Sequence, residues 1–246
     1  MSKKNRDVGR VDRVARAAAL RQEQERKERR RRTLMIGGVV VALLVIVVGG
    51  YFLSRALDTT GNVDAPAAGS KYGVTIGSKD APHSVVIYED FLCPFCGELE
   101  KETRDDLTSL AQDGKVRVEY RPFNLLSTLG DYSARSAGAF SIVLDKAGPE
   151  VAKKYHDLLY ENQPSEKGPF PSDDDLVKWA VEAGASESDV RAPIENQDAK
   201  AWVTDATQAA LDAGVRGTPT ILLDGSVFQD GRTPAELGDN LVQQVS

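Results

Sequence analysis

SVVIYEDFLCPFCG, residues 84–97, holds the only two cysteines of the chain, Cys93 and Cys96, and joins two different periodicities. Ser84 to Glu89 is β-rich and mostly apolar, as in a buried strand. From Pro94 to about Gln112 the pattern is helical: proline stands where a helix start accepts it, and Leu99, Leu107 and Leu110 recur near a period of 3.6. Gly114 closes this helix. Val116 to Phe123 then alternates apolar and polar residues as a strand does. Strand–helix–strand implies parallel strands and an α/β sheet. The cysteines fall at the carboxyl end of the first strand, where open α/β sheets place their sites.

Downstream the chain changes character. Leu126 to Leu144, Glu150 to Tyr160, Asp173 to Ala183 and Asp198 to Ala213 read as helices, and Ser172 with Asp175 and Ser186 with Asp189 look like helix-start boxes. Residues 162–172, NQPSEKGPFPS, form a breaker-rich loop. Thr220 to Leu223 returns to strand, Asp224-Gly225 is a hairpin turn signal, and residues 226–228 answer it. Thr233 to Glu236 opens a last helix to about Val245. The late hairpin and helix have to rejoin the early sheet. The helical block, about residues 130–210, is therefore expected as an insertion into one α/β core spanning residues 71–246.

Upstream, residues 1–32 carry 13 Lys and Arg against five Asp and Glu, a net of +8. The whole chain has −6, which leaves −14 for everything after residue 32. Leu34 to Leu53 is an uncharged apolar run that at about 1.5 Å per residue reaches roughly 30 Å, a bilayer's hydrocarbon thickness. We expect a basic cytoplasmic arm (1–33), a single transmembrane helix (34–53), a Gly/Ala/Pro-rich linker (54–70) and an extracytoplasmic body, because the Arg29–Arg32 cluster holds its end in the cytoplasm. The run exceeds the usual signal-peptide core and no small-residue cleavage pattern follows closely, so an uncleaved anchor is expected. The arm reads as a topology signal that touches anionic lipid, not as a nucleic-acid site.

Two thiols three positions apart allow a metal half-site, a static clip or a redox pair. Structural zinc wants four ligands, and the chain offers one Cys pair and two distant histidines, His83 and His156, so no metal is expected. A disulfide closing so short a loop removes little chain entropy. The redox reading gives each position a task. Cys93 at a helix N-terminus faces free N–H groups that stabilise a thiolate, making it the exposed nucleophile. Cys96, one turn on, resolves the mixed disulfide. Pro94 fixes the helix start and Phe95 completes the dipeptide between the sulfurs. The redox pair itself carries the electrons, so no other cofactor is needed. His156, Trp179 and Trp202 read as packing residues, and Asp173-Asp174-Asp175 as a charged helix start rather than a calcium site.

YEDFLCPFCG (88–97), GVRGTPTILLDG (214–225) and GSKDAPHSVVIYED (77–90) together resemble the DsbA-like branch of the thioredoxin superfamily, especially the membrane-anchored versions of high-G+C Gram-positive bacteria. The resemblance implies a thioredoxin-like fold with a helical insertion. It also implies a cis Thr218-Pro219 peptide beside the sulfurs, whose backbone pairs with substrate, and disulfide donation to reduced secreted or cell-envelope polypeptides. Re-oxidation would come from a DsbB-like or vitamin-K-epoxide-reductase-like membrane protein. Members commonly carry a buried carboxylate six residues before the first cysteine, where this chain has Ile87. Glu89 shares that strand face under period-2 alternation and is the candidate proton relay; Asp90 matches an acidic position before the motif. Two alternatives stay open: a reductase of the cytochrome c maturation type, and a non-catalytic binding module.

Overall fold

The structure, a computed structural model, describes residues 70–246. The basic arm, the apolar run and the linker up to residue 69 lie outside the described residues. Among the described residues no helix is long and apolar enough to cross a membrane.

Five strands form one sheet: β1 (Val74–Ile76), β2 (His83–Glu89), β3 (Val116–Pro122), β4 (Thr220–Leu223) and β5 (Ser226–Phe228), ordered β1-β3-β2-β4-β5. β2 and β3 are parallel, as the helix between them demands, and every other pairing is antiparallel. That helix, α1 (Pro94–Gln112), packs against the C-terminal α6 (Pro234–Gln244). Gly238 makes the approach possible, since a Cβ there would lie 2.8 Å from the Thr103 methyl.

Alternation along β2 sorts its side chains onto two faces. Val85 and Ile87 join the main core with Leu99 and Leu107 of α1, while Val86 and Tyr88 join a smaller core with Leu222 and Ala210. Glu89 therefore points with Ile87 to the α1 face.

Between β3 and β4 come α2 (Tyr132–Glu161), α3 (Asp173–Ala183), α4 (Glu187–Glu195) and α5 (Lys200–Asp212), the inserted block. Three features differ from the sequence expectation. The helices expected at 126–144 and 150–160 are one run, starting later and continuing across a kink where Gly148 takes φ 82, ψ 176 before Pro149. Ser186 heads α4 without a capping bond of its own; its hydroxyl meets that of Ser188. β1 is an additional strand. Ser172 and Asp175 do form the reciprocal capping box at α3.

Candidate active site

The turn leaving β2 is tight. The Cys93 N–H donates to the Asp90 carbonyl at 2.9 Å, and the buried Asp90 carboxylate accepts the Leu92 N–H at 2.9 Å, an Asx-type closure. Its other oxygen accepts the N–H groups of Leu125 (2.8 Å) and Leu126 (2.9 Å) and the Ser133 hydroxyl. One carboxylate thus ties the redox turn to the segment that enters the helical block.

Cys93 is the N-cap of α1, with extended backbone and Pro94 following. The two cysteines are free thiols. The expected exposure of Cys93 is not observed. The residue is 4% exposed, its sulfur turned onto the Thr218 carbonyl at 3.3 Å, while Phe95 is 58% exposed. The Thr218–Pro219 peptide is cis, and Thr220 pairs with Tyr88 across β4 and β2, which sets the proline loop beside the cysteine turn.

The two thiols have opposite environments. The Cys96 thiol, hydrogen-bonded to the Cys93 sulfur, lowers the Cys93 pKa to about 6 against partial desolvation, with the backbone N–H groups of Cys96 and Phe95 assisting. Burial raises Cys96 well above the ordinary thiol value, reinforced by the bond to and charge of Cys93 and by the charge of Glu89.

Glu89 is fully buried, and one of its oxygens meets His156 Nε2 at 2.6 Å while the other has no hydrogen-bond partner. His156, expected only as packing, is thus brought into the site from α2. Its Nδ1 meets Asp157 at 3.0 Å, and Asp157 also accepts from Lys153. Glu100 of α1 lies 3.9 Å from Nδ1 with both oxygens unpartnered. Burial opposes charge on the ring, but Glu89 and Glu100 outweigh it and raise the His156 pKa. Burial likewise raises Glu100. Four rings surround the imidazole: Tyr120 (centroids 4.7 Å), Tyr160 (5.1 Å), Phe91 (5.6 Å) and Phe140 (6.4 Å).

Glu89, Glu100 and His156 bring one potential ligand atom each within 4.8 Å of one another. The two ring nitrogens already face carboxylate oxygens, Nε2 that of Glu89 at 2.6 Å and Nδ1 that of Asp157 at 3.0 Å.

Gln163, just beyond α2, is a second residue that sequence reasoning missed. Its Nε2 donates to the carbonyls of Phe91 and Cys93, each at 2.9 Å. A Cβ on Gly97 would sit 2.3 Å from Gln163 Oε1, so the glycine makes room for this clamp. No local sequence pattern marks Gln163 or His156 for these positions. Trp179 and Trp202 pack, Trp202 edge-on to Tyr72 at 5.8 Å, and Asp173 to Asp175 form the first turn of α3.

Residues 69–242 match the family model described as Thioredoxin. Over 174 residues the chain is 26% identical to a part of the serine/threonine-protein kinase PknE of Mycobacterium tuberculosis, covering 67% of this chain but 31% of the kinase. The chain thus spans about a third of the length of that relative. Among solved structures it is similar to the disulfide bond oxidoreductase DsbG of Mycobacterium tuberculosis, with TM-score 0.60 and 27% identity over 76% of this chain and 92% of that one. It is also similar to MdbA, a thiol-disulfide oxidoreductase from Corynebacterium diphtheriae, with TM-score 0.59 and 26% identity over 72% of this chain and 91% of that one.

Proposed function

Since the chain belongs to the thioredoxin family, within its DsbA-like branch, we propose that it is a protein-disulfide oxidoreductase that donates disulfides outside the cytoplasm. The observation that carries this reading is the contrast between the thiols: Cys93 lowered to about 6 and Cys96 raised. A thiolate attacks and leaves readily, and the more stable it is in the reduced protein, the more readily the disulfide is given away.

A substrate thiolate attacks the Cys93 sulfur of the Cys93–Cys96 disulfide, and Cys96 departs. The second substrate thiol then displaces Cys93 as thiolate, closing the substrate's own disulfide. The cis Thr218–Pro219 loop offers backbone groups against which an extended substrate segment aligns. Glu89, buried and close enough for its charge to act on Cys96, relays the proton that Cys96 gains on opening and loses on re-oxidation. The substrates are reduced secreted or cell-envelope polypeptides, and a DsbB-like or vitamin-K-epoxide-reductase-like membrane protein restores the disulfide. The apolar run at 34–53 and the basic arm before it support a single-pass anchor with the catalytic domain outside. The pair works without a further cofactor.

Equilibration of the Cys93–Cys96 pair with glutathione tests the direction of flow. A poise well above thioredoxin's roughly −270 mV is expected; a value as reducing as that assigns the protein to the reductases. Trapping with Cys96→Ser is expected to leave substrate polypeptides attached to Cys93.

A further inference from the structure

Cys96 presents a chemical difficulty. A buried sulfur that resists ionisation is a poor leaving group unless a proton reaches it as the S–S bond breaks. Glu89 can pass such a proton only if something behind it holds one. The group behind it is His156, whose Nε2 lies 2.6 Å from Glu89 and whose Nδ1 lies 3.0 Å from Asp157. An imidazole with an ionised carboxylate at each nitrogen donates to both only by carrying both N–H bonds, which is the imidazolium.

We propose that His156 is the proton reservoir of the redox pair, supplying through Glu89 the proton that Cys96 takes up when the disulfide opens and accepting it back when the disulfide re-forms. The inference rests on the disulfide-exchange reading above. In the opening step the substrate sulfur forms a bond to Cys93 Sγ, the Cys93–Cys96 bond breaks, and its electron pair goes to Cys96. The Nε2–H proton passes to Glu89 Oε1, and the carboxyl delivers a proton to Cys96. The ring is left neutral with its Nδ1–H on Asp157. Re-oxidation runs the same transfers backward.

The groups facing the ring come from four elements. Glu89 approaches from β2 and Tyr120 from β3. Glu100 comes from α1, with Arg104 of α1 beyond it on Asp157 at 3.5 Å. Asp157 and Tyr160 belong to α2 itself, and Lys153 pairs with Asp157 at 2.5 Å. Lys153 and Arg104 balance Asp157 on the outer side, so Asp157 anchors the Nδ1–H while the Nε2 proton remains the one free to move inward. His156 does not touch the reacting sulfurs; it is a positioning residue that acts through Glu89.

His156→Gln keeps a donor toward Glu89 but has no proton to release. The full chain, oxidised, is reduced by excess dithiothreitol, and the rate is normalised to the thiolate concentration from pH 6 to 8. The wild type is expected to be nearly independent of pH, and His156→Gln to be about 10- to 100-fold slower at pH 7–8. Iodoacetamide alkylation of Cys93 in the reduced variant is expected to stay within about twofold of wild type, which verifies that the site is intact. A rate unchanged by His156→Gln but lowered by Glu89→Gln overturns the reservoir and leaves the relay. A rate unchanged by either variant removes both, whereas disulfide exchange lost only in Cys93→Ser still upholds the function. If His156→Gln does not fold, nitrogen NMR of the wild type decides. The chain has two histidines, so the buried ring is readily told from His83. In the oxidised chain an imidazolium at pH 7 with two slowly exchanging N–H protons is expected, and a ring that is neutral in the oxidised chain between pH 6 and 8 overturns the proposal.

Discussion

Cys93 and Cys96 govern one another's ionisation, and the effect is measurable residue by residue. Because the Cys96 thiol is the foremost cause of the lowered Cys93 pKa, Cys96→Ala is expected to move the midpoint of Cys93 alkylation upward from about 6. The sign for stability follows from linkage. A thiol whose folded value lies below its ordinary 9.0 adds stability that is fully present above about pH 9 and is lost as pH falls through about 6. Reduced protein should therefore gain on oxidised protein as pH rises from about 6 to about 9, by on the order of 4 kcal/mol at most. Urea denaturation of both forms at each pH checks this. At Gly97 the expected effect is steric. Gly97→Ala drives Gln163 off the Phe91 and Cys93 carbonyls, costing about 1–3 kcal/mol, and the loss should not add to that of Gln163→Ala.

At the scale of elements, α2 depends on one backbone setting. Gly148 at φ 82, ψ 176 lies in a region essentially closed to other residues, and nothing lies within 4 Å of where its Cβ would be. Gly148→Ala is therefore expected to cost about 1–3 kcal/mol through conformation alone, read as a lower denaturation midpoint. It should also slow Cys93–Cys96 exchange, since His156 and Gln163 both lie beyond the kink. Legibility in the sequence divides along the same line. Pro94–Gln112 and Asp173–Ala183 were readable to the residue because proline, leucine spacing and a capping box mark them. β1 has three residues, too few for alternation to register, and α4 is nine residues interrupted by Pro193. The two cysteines stood out by their spacing, strand parity set the face of Glu89, and the cis Thr218–Pro219 peptide followed from the resemblance to the DsbA-like branch. His156 and Gln163 did not, because their roles come from where α2 lands on β2 and α1, a tertiary fact that no local pattern encodes.

On the scale of the whole molecule, the site is assembled from three remote segments: residues 89–97, 156–163 and 218–219. Asp90 is the tie between the first of these and the inserted block, with four donors on one buried carboxylate. Asp90→Ala leaves the Leu92, Leu125 and Leu126 N–H groups without that acceptor and is expected to cost about 2–4 kcal/mol. Hydrogen exchange should rise first at residues 125–133, ahead of β2 and β3, if this tie is what couples block to core. The sheet has a further consequence at its rims. Its outermost strands, β1 and β5, are three residues each. The unfolded clients proposed above would present many extended segments in search of a partner strand, and a rim this short gives them almost nothing to adhere to. The proposed exchange with unfinished polypeptides would thus proceed one cysteine at a time without drawing the protein into their aggregates.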